Sequence, residues 1–362
     1  MRILFITPYP TGEAPSQRFR FEQYFKALTQ NGHSYKISPF LTLKAWNILY
    51  KHGHTFEKTM ALFRGYWQRC IDLIRINNFD IVFIHRDASP FGPPWFEWLV
   101  TKLFGKYTVY DFDDAIWIPN ASETNGKLTM MFKQFSKTAD ICSWADVVSV
   151  GNVYLAEFAS KHNSYVVINP TTIDTDELHN SIKDHSNMKF IIGWTGSHST
   201  LQYLDEIFPV LERLEEKYDF EFQVICDVPP KFNLKSLKYI PWTKKAEIDD
   251  LLNFNIGVMP LPADVWSKGK CGFKALQYMA LGIPAVVSGV GVNAEIVDHN
   301  INGCVCNSKE EWFFCLEKLI TDSAYLRKLS VKTREKIVNN YSVKSNMENF
   351  LSLFNKKTDK AI

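Results

Sequence analysis

Short apolar runs alternate along this chain with longer segments whose apolar residues recur every three or four positions, the signatures of strand and amphipathic helix in turn. The first run, Ile3 to Thr7, leads through a loop bearing Pro8, Pro10, Gly12 and Pro15 into Ser16 to Gln30, where Phe19, Tyr24, Phe25 and Leu28 recur at roughly helical spacing. Asn31-Gly32 predicts the end of that helix. Further strands are predicted at Tyr35 to Ser38, Ile81 to Ile84, Tyr107 to Tyr110, Val147 to Val150 and Tyr165 to Ile168, with helices between them at about 56–77, 91–104 and 152–160. Strand and helix in alternation imply βαβ units and a parallel, doubly wound sheet.

After Asn169-Pro170 the stretch Thr171 to Met188, rich in Thr, Asp, Asn and His, has the composition of a linker. A second alternation follows, with strands at Phe190 to Gly193, Phe220 to Cys226, Ile256 to Met259 and Ala285 to Ser288. Helices are predicted over Thr200 to Lys217, Glu247 to Asn253, Phe273 to Leu281, about 308–321, 323–339 and Ser345 to Phe354. The division expected is therefore α/β, with one Rossmann-like domain over 1–170, a second over 189–345 and a C-terminal helix and tail over 346–362. In such sheets ligands sit outside the C-terminal ends of the strands, so functional residues are sought in the loops that follow them.

Composition adds limits. A chain of 362 residues has length for two cores, and 46% hydrophobic with 22% charged residues is a globular balance. The 41 basic and 39 acidic residues leave a net charge of +2, so no global field draws the chain onto nucleic acid. Seven cysteines without metal-ligand spacing read as reduced, mostly buried thiols, which predicts a cytoplasmic protein without a metal centre. The opening apolar run is too short for a signal-peptide core, and no apolar stretch of about 18 residues predicts a transmembrane helix.

In the first half, Ser16 can cap the following helix, whose N-terminus favours an anion, and Arg18 and Arg20 add cationic donors there. Either they bind a phosphate or they solvate the first turn and pair with Glu22. Asp111, Asp113 and Asp114 crowd three carboxylates behind a strand, which costs electrostatic energy unless cations or hydroxyl donors share it. Metal ligation, hydrogen bonding to sugar hydroxyls or to the arginines, and helix capping all remain open. His85-Arg86-Asp87 follows another strand, where His85 is either a structural histidine or a contact to an acceptor.

In the second half, the loop from Gly193 to Thr200 joins strand to helix. Gly196 permits close backbone approach, and Ser197 with the following amides suits a pyrophosphate; an ordinary capped loop is the alternative. Lys270, Lys274 and Gln277 fall three to four residues apart on one predicted helix face, which suits a diphosphate and a ribose, or else forms a solvated lysine face. In the loop from Ser288 to Val297, the glycines bring backbone amides near a donor, with Asn293 beside them, and Glu295 either accepts from a hydroxyl or caps the segment behind it.

The run from Gln277 to Val287, then Gly291 to Val297 and Asn302-Gly303, resembles the donor-binding half of family 4 glycosyltransferases of the GT-B fold, over roughly residues 190–345. Arg2 to Ile6 and the Asp111 to Asp114 cluster look more loosely like its acceptor half. The resemblance implies two Rossmann-like domains facing across a cleft, a retaining transfer from a nucleotide-diphosphate sugar used as co-substrate, no obligatory metal or other cofactor, and a role in building polysaccharide, lipopolysaccharide or glycolipid. One position departs from the pattern: where that helix carries two glutamates, this sequence has Gly269 and Gln277.

On this reading Gly196, Ser197, Lys270, Lys274, Gln277, Asn293 and Glu295 hold the donor. Arg18, Arg20 and Asp114 face a glycan or lipid-linked acceptor, and His85, Asp113 and Lys270 are the candidates for the catalytic step. The segment from His54 to Arg75, with Phe63, Arg64, Tyr66, Trp67 and Arg69, is either a core stripe or a peripheral contact with the inner face of a membrane. A non-catalytic GT-B scaffold and a sugar-nucleotide epimerase stand as alternatives.

Overall fold

The structure, a computed structural model, describes residues 1–119, 134–186 and 189–355. It divides into two compact units, one of Met1–Thr171 with the C-terminal residues from Asn346, the other of Thr172–Ser345. The first is built on β1 (Arg2–Thr7), β2 (Ser34–Pro39), β3 (Ile81–His85), β4 (Tyr107–Phe112), β5 (Val147–Val150) and β6 (Val166–Ile168), in the order β2-β1-β3-β4-β5-β6. The second has β7 (Ile191–Thr195), β8 (Glu221–Cys226), β9 (Leu237–Pro241), β10 (Ile256–Met259), β11 (Ala285–Ser288) and β12 (Gly303–Cys306), in the order β12-β11-β10-β7-β8-β9. Every pairing between neighbouring strands is parallel.

Both faces of the central strands are covered, which is why Ile3 to Ile6 and Ile81 to Ile84 are unbroken apolar runs with no exposed surface. The two strands absent from the sequence reading, β9 and β12, lie at the edges of their sheet. An edge strand needs little apolar length, and Gly303–Cys306 and the half-exposed Leu237–Pro241 supply little. In each unit the strand order reverses once, between β1 and β3 and between β7 and β10. The crevice for a ligand is expected at those two points.

Several elements differ from expectation. The helix expected over Ser16 to Gln30 is three pieces: a short helix Pro15–Arg18, a 3₁₀ turn Glu22–Tyr24 and a helix Phe25–Gln30. Gln17 gives its side-chain amide to the Tyr9 carbonyl and Glu22, and Arg20 is drawn into the core, so the segment bends around polar contacts. Thr200 to Lys217 splits into a 3₁₀ stretch Leu201–Glu206 and a helix Phe208–Glu215, because Pro209 cannot continue the amide ladder and sits at the new helix start.

The expected linker is bound to the second unit. Ile173 pairs with Ser342, Lys183 N–H donates to the Leu281 carbonyl at 2.8 Å, and Arg334 donates to the carbonyls of Thr175, His179 and Ala280. Its polar composition reflects these contacts; residues 187–188 lie outside the described residues. The helix Met347–Ser352 belongs to the first unit, where Phe350 stacks on Tyr24 at 4.2 Å between centroids.

Candidate functional site

In the first unit the ends of β3, β4 and β5 meet in a buried network. Arg20, 1% exposed, donates from Nε to Asp111 at 3.2 Å, from a second nitrogen to the same carboxylate, and from the third to the Asn169 carbonyl at 2.5 Å. Asp111 also accepts from Ser149 Oγ at 2.7 Å and meets His85 Nδ1 at 2.8 Å. An ionised carboxylate only accepts, so Nδ1 carries the proton of that contact. Burial alone would raise Asp111, but the Arg20 guanidinium and then the His85 ring outweigh it and hold the carboxyl well below its usual range. Among the described residues, His85 Nε2 and both side-chain polar atoms of Asn169 are buried without a hydrogen-bond partner.

One residue on, Arg86 takes the left-handed backbone conformation, with φ at 58°. This costs a non-glycine residue about 1–2 kcal/mol, and it aims the guanidinium at two carboxylates: Nε donates to Asp113 at 2.8 Å and another nitrogen to Asp114 at 2.7 Å. Burial works against the charge on Arg86, but the two aspartates more than offset it and raise its pKa.

Of the three readings of the acidic cluster, pairing with the arginines of the first loop is met at Asp111, by Arg20, whereas Asp113 and Asp114 pair with Arg86, which that reading did not name. Arg20 needs correction as an acceptor contact, because its guanidinium is buried and committed to Asp111. Arg18 remains half-exposed, 4.9 Å over the Phe19 ring. Ser16 is not the cap expected of it: Ala14 holds that position and Pro15 opens the turn.

In the second unit three loops gather at the C-terminal ends of β7, β10 and β11. Trp194, 1% exposed, lies beneath Gly196, where an added Cβ would fall 2.4 Å from the indole. Lys274 Nζ stands 5.6 Å from the same ring, so Gly196 and Lys274 flank one indole. Thr195 N–H donates to the Tyr278 hydroxyl at 2.9 Å, which ties the helix Phe273–Ala280 to the end of β7. Gly257 makes room for that ring, since a Cβ there would lie 2.2 Å from it.

The helix starts at Phe273 behind Gly272, whose φ of +68° suits glycine. Lys270 therefore lies in the preceding turn and not on the helix face expected, with Nζ 5.0 Å over Trp266. Lys274 and Gln277 do share the helix. Gly291, with φ at +56°, passes so close to Lys268 that a Cβ would be 2.8 Å from its carbonyl oxygen, and a Cβ on Gly272 would meet Ile296 at 2.1 Å. These approaches bring the lysine-bearing turn and the Gly291 to Ile296 segment together.

Asn293, fully buried, donates to the Ser288 carbonyl at 3.2 Å. Asn293 Oδ1, Gln277 Nε2 and Ser267 Oγ are buried polar atoms without a hydrogen-bond partner among the described residues. Glu295 is exposed. Ser197 is exposed on the loop after β7, its hydroxyl 2.9 Å from that of Ser199.

Sequence reasoning missed Asn169, Trp194, Ser267 and the pair His198–Asp227, in which the Asp227 carboxylate takes the His198 backbone N–H and meets its Nδ1, both at 2.6 Å. A histidine in the loop after one strand and an aspartate at the end of the next was the available signal for that pair.

Comparison with known proteins bears on the fold. Residues 189–322 match the family described as glycosyl transferases group 1, a span that contains every donor-side candidate. No curated protein matches the sequence. Among solved structures, the chain is similar to a sucrose-phosphate synthase from Thermosynechococcus elongatus, at 11% identity over 98% of both chains with a TM-score of 0.70. It is also similar to a glycosyltransferase from Rickettsia africae, at 13% identity over 98% of this chain and 99% of that one, TM-score 0.66. A third is Anabaena HepE in complex with UDP and glucose, at 11% identity over 98% and 99%, TM-score 0.63. With two parallel six-stranded sheets and their helices matched over nearly the whole chain, the fold is α/β of the GT-B type.

Proposed function

We propose that the chain is a retaining glycosyltransferase that takes a sugar from a nucleotide-diphosphate donor and passes it to a glycan or lipid-linked acceptor in cell-surface polysaccharide synthesis. The observation that carries this reading is the second unit: its match to glycosyl transferases group 1 covers the segment where glycine-lined backbone, two lysines over indole rings and unpartnered polar atoms come together. In this reading the Lys270 and Lys274 ammonium groups offset charge developing on the leaving diphosphate, with the amides around Gly196 and Ser197 beside them. Gln277 Nε2 and Asn293 Oδ1 offer a donor and an acceptor to the nucleoside and sugar hydroxyls, and Glu295 accepts from a further hydroxyl. On the first unit His85, through Nε2, and Asp113 and Asp114 meet the acceptor. The protein contributes position and charge rather than a covalent nucleophile.

The test is release of nucleoside diphosphate from a panel of uridine, guanosine and adenosine diphosphate sugars, with an acceptor extract, by wild type and Lys274→Ala. Turnover that the substitution lowers about 100-fold supports transfer, and the anomeric configuration of the product, read by NMR, checks retention. Gly269, standing where a donor-sugar carboxylate is expected, favours a second reading as a non-catalytic scaffold. Tight nucleotide binding without turnover on any acceptor would establish it.

A further inference from the structure

The helix Thr55–Ile74 is turned inside out relative to an ordinary surface helix. Its inward face carries Arg69 and Asp72, both fully buried and paired at 2.9 Å, with Gly65 pressed against Phe40. Arg69 donates to the carbonyls of Thr7, Ser38 and Ala88, gathering the ends of β1 and β2 and the loop after β3, and Asp72 accepts from Ser38 Oγ at 2.6 Å. With the polar face consumed by the fold, the apolar residues point outward. Phe56 is 76% exposed, Met60 51%, Phe63 67%, Trp67 69% and Ile74 83%. Their spacing of three, four and seven keeps them on one line of the helix. A water-facing helix presents the opposite pattern, and a stripe of this kind marks a contact surface.

We propose that this face docks in the plane of an anionic lipid surface. Charge complementarity selects the occupant. Lys44, Lys51, Arg64 and Arg75 are exposed along residues 41–79, where the one exposed carboxylate is that of Glu57, which His54 already meets at 3.5 Å. A second copy of the chain docking on the same face would set this basic rim against itself. Bulky aromatics with a lysine and arginine border match helices that lie at the headgroup boundary. Among the described residues no helix is long and apolar enough to cross a membrane, so this one, with its buried ion pair, lies along the surface over roughly 30 Å. The surface is independent of the sugar chemistry proposed above, and the two fail separately.

Co-sedimentation of the full chain with phosphatidylcholine vesicles, with and without a quarter phosphatidylglycerol, tests it. Wild type partitions onto the anionic vesicles and releases with salt. Phe63→Ser with Trp67→Ser lowers the partition coefficient roughly 10- to 100-fold, and Arg64→Ser and Arg75→Ser lower it about 5-fold each. Trp67→Phe retains binding, and unchanged thermal unfolding of all variants shows that the fold is intact. The proposal is overturned if wild type ignores anionic vesicles, if the double variant binds as well as wild type, or if gel filtration shows a dimer that the double variant dissociates while lipid binding is absent.

Discussion

Asp111→Asn isolates the network that holds the first unit's strand ends together. The carboxylate serves two nitrogens of Arg20, the His85 ring and Ser149, all within the core. The asparagine is nearly isosteric but neutral, so the Arg20 guanidinium keeps its burial and loses its counter-charge. Leaving one partner of a buried pair uncompensated costs about 3–5 kcal/mol. For a unit of this size each kcal/mol moves the midpoint by about 2–4 °C, so the first unit should melt roughly 6–20 °C lower. Differential scanning calorimetry, which resolves units that unfold separately, is the assay. The pH dependence gives an internal control. Because folding depresses the Asp111 pKa, its contribution is fully present above the unfolded carboxyl value near 4 and declines as pH falls below it toward the folded value. The gap between wild type and variant should therefore narrow below about pH 4 and stay constant from pH 5 to 7. A variant within about 2 °C of wild type at neutral pH, or a gap that widens in acid, would refute the assignment of this pair as structural.

Three further outcomes follow from the second unit. Lys274→Ala should lower kcat/KM by about 100-fold with little change in unfolding temperature, and Lys274→Arg should recover part of it, measured by nucleoside diphosphate release. Gln277→Leu removes a buried amide donor that lacks a partner and should stabilise the ligand-free unit by about 1 kcal/mol while weakening nucleotide binding, seen by calorimetric unfolding and titration. Gly257→Ala drives a methyl into the Tyr278 ring and threatens its bond to Thr195 N–H; a loss of about 1–3 kcal/mol is expected, and Tyr278→Leu in the same chain should relieve part of it.

The fold was legible where burial imposes a continuous apolar run, as in Ile3 to Ile6 and Ile81 to Ile84, and where helical spacing is long, as in Thr55–Ile74. It was illegible at β9 and β12, whose edge positions ask for neither. At the candidate site, Lys274 and Gln277 could be paired because their spacing is local to one helix. Arg20 was misread because its partner lies 91 residues away, and a charged residue at the start of a predicted helix looks the same whether it faces water or a buried aspartate. Trp194 was placed in the loop after Gly193, whereas the strand runs on to Thr195 and buries the ring, and Asn169 was read only as a breaker before Pro170. The helix Thr55–Ile74 shows the same limit: its periodicity is plain, but which face is inward depends on the carbonyls that Arg69 finds in the folded chain.

What separates scaffold from site in this molecule is whether a polar group is satisfied, not which residue type it is. Arg20 with Asp111 and Arg69 with Asp72 are buried charges, yet protein groups meet both pairs, and the cost falls on removing one partner alone. His85 Nε2, the Asn169 amide, Ser267 Oγ, Gln277 Nε2 and Asn293 Oδ1 are buried and unmet. Each such atom costs about 1–3 kcal/mol that an apolar side chain of similar size would avoid. Other buried atoms without a hydrogen-bond partner, such as Gln223 Oε1, His33 Nδ1 and Glu97 Oε2, lie elsewhere among the described residues, but these six fall at or beyond the C-terminal ends of parallel strands. Strand order alone marks that edge of each sheet as the binding edge. For these six atoms, the strand order and the missing partners point to the same edge in both units. That agreement supports the proposed role of these atoms in holding a ligand with several hydroxyl and phosphate groups.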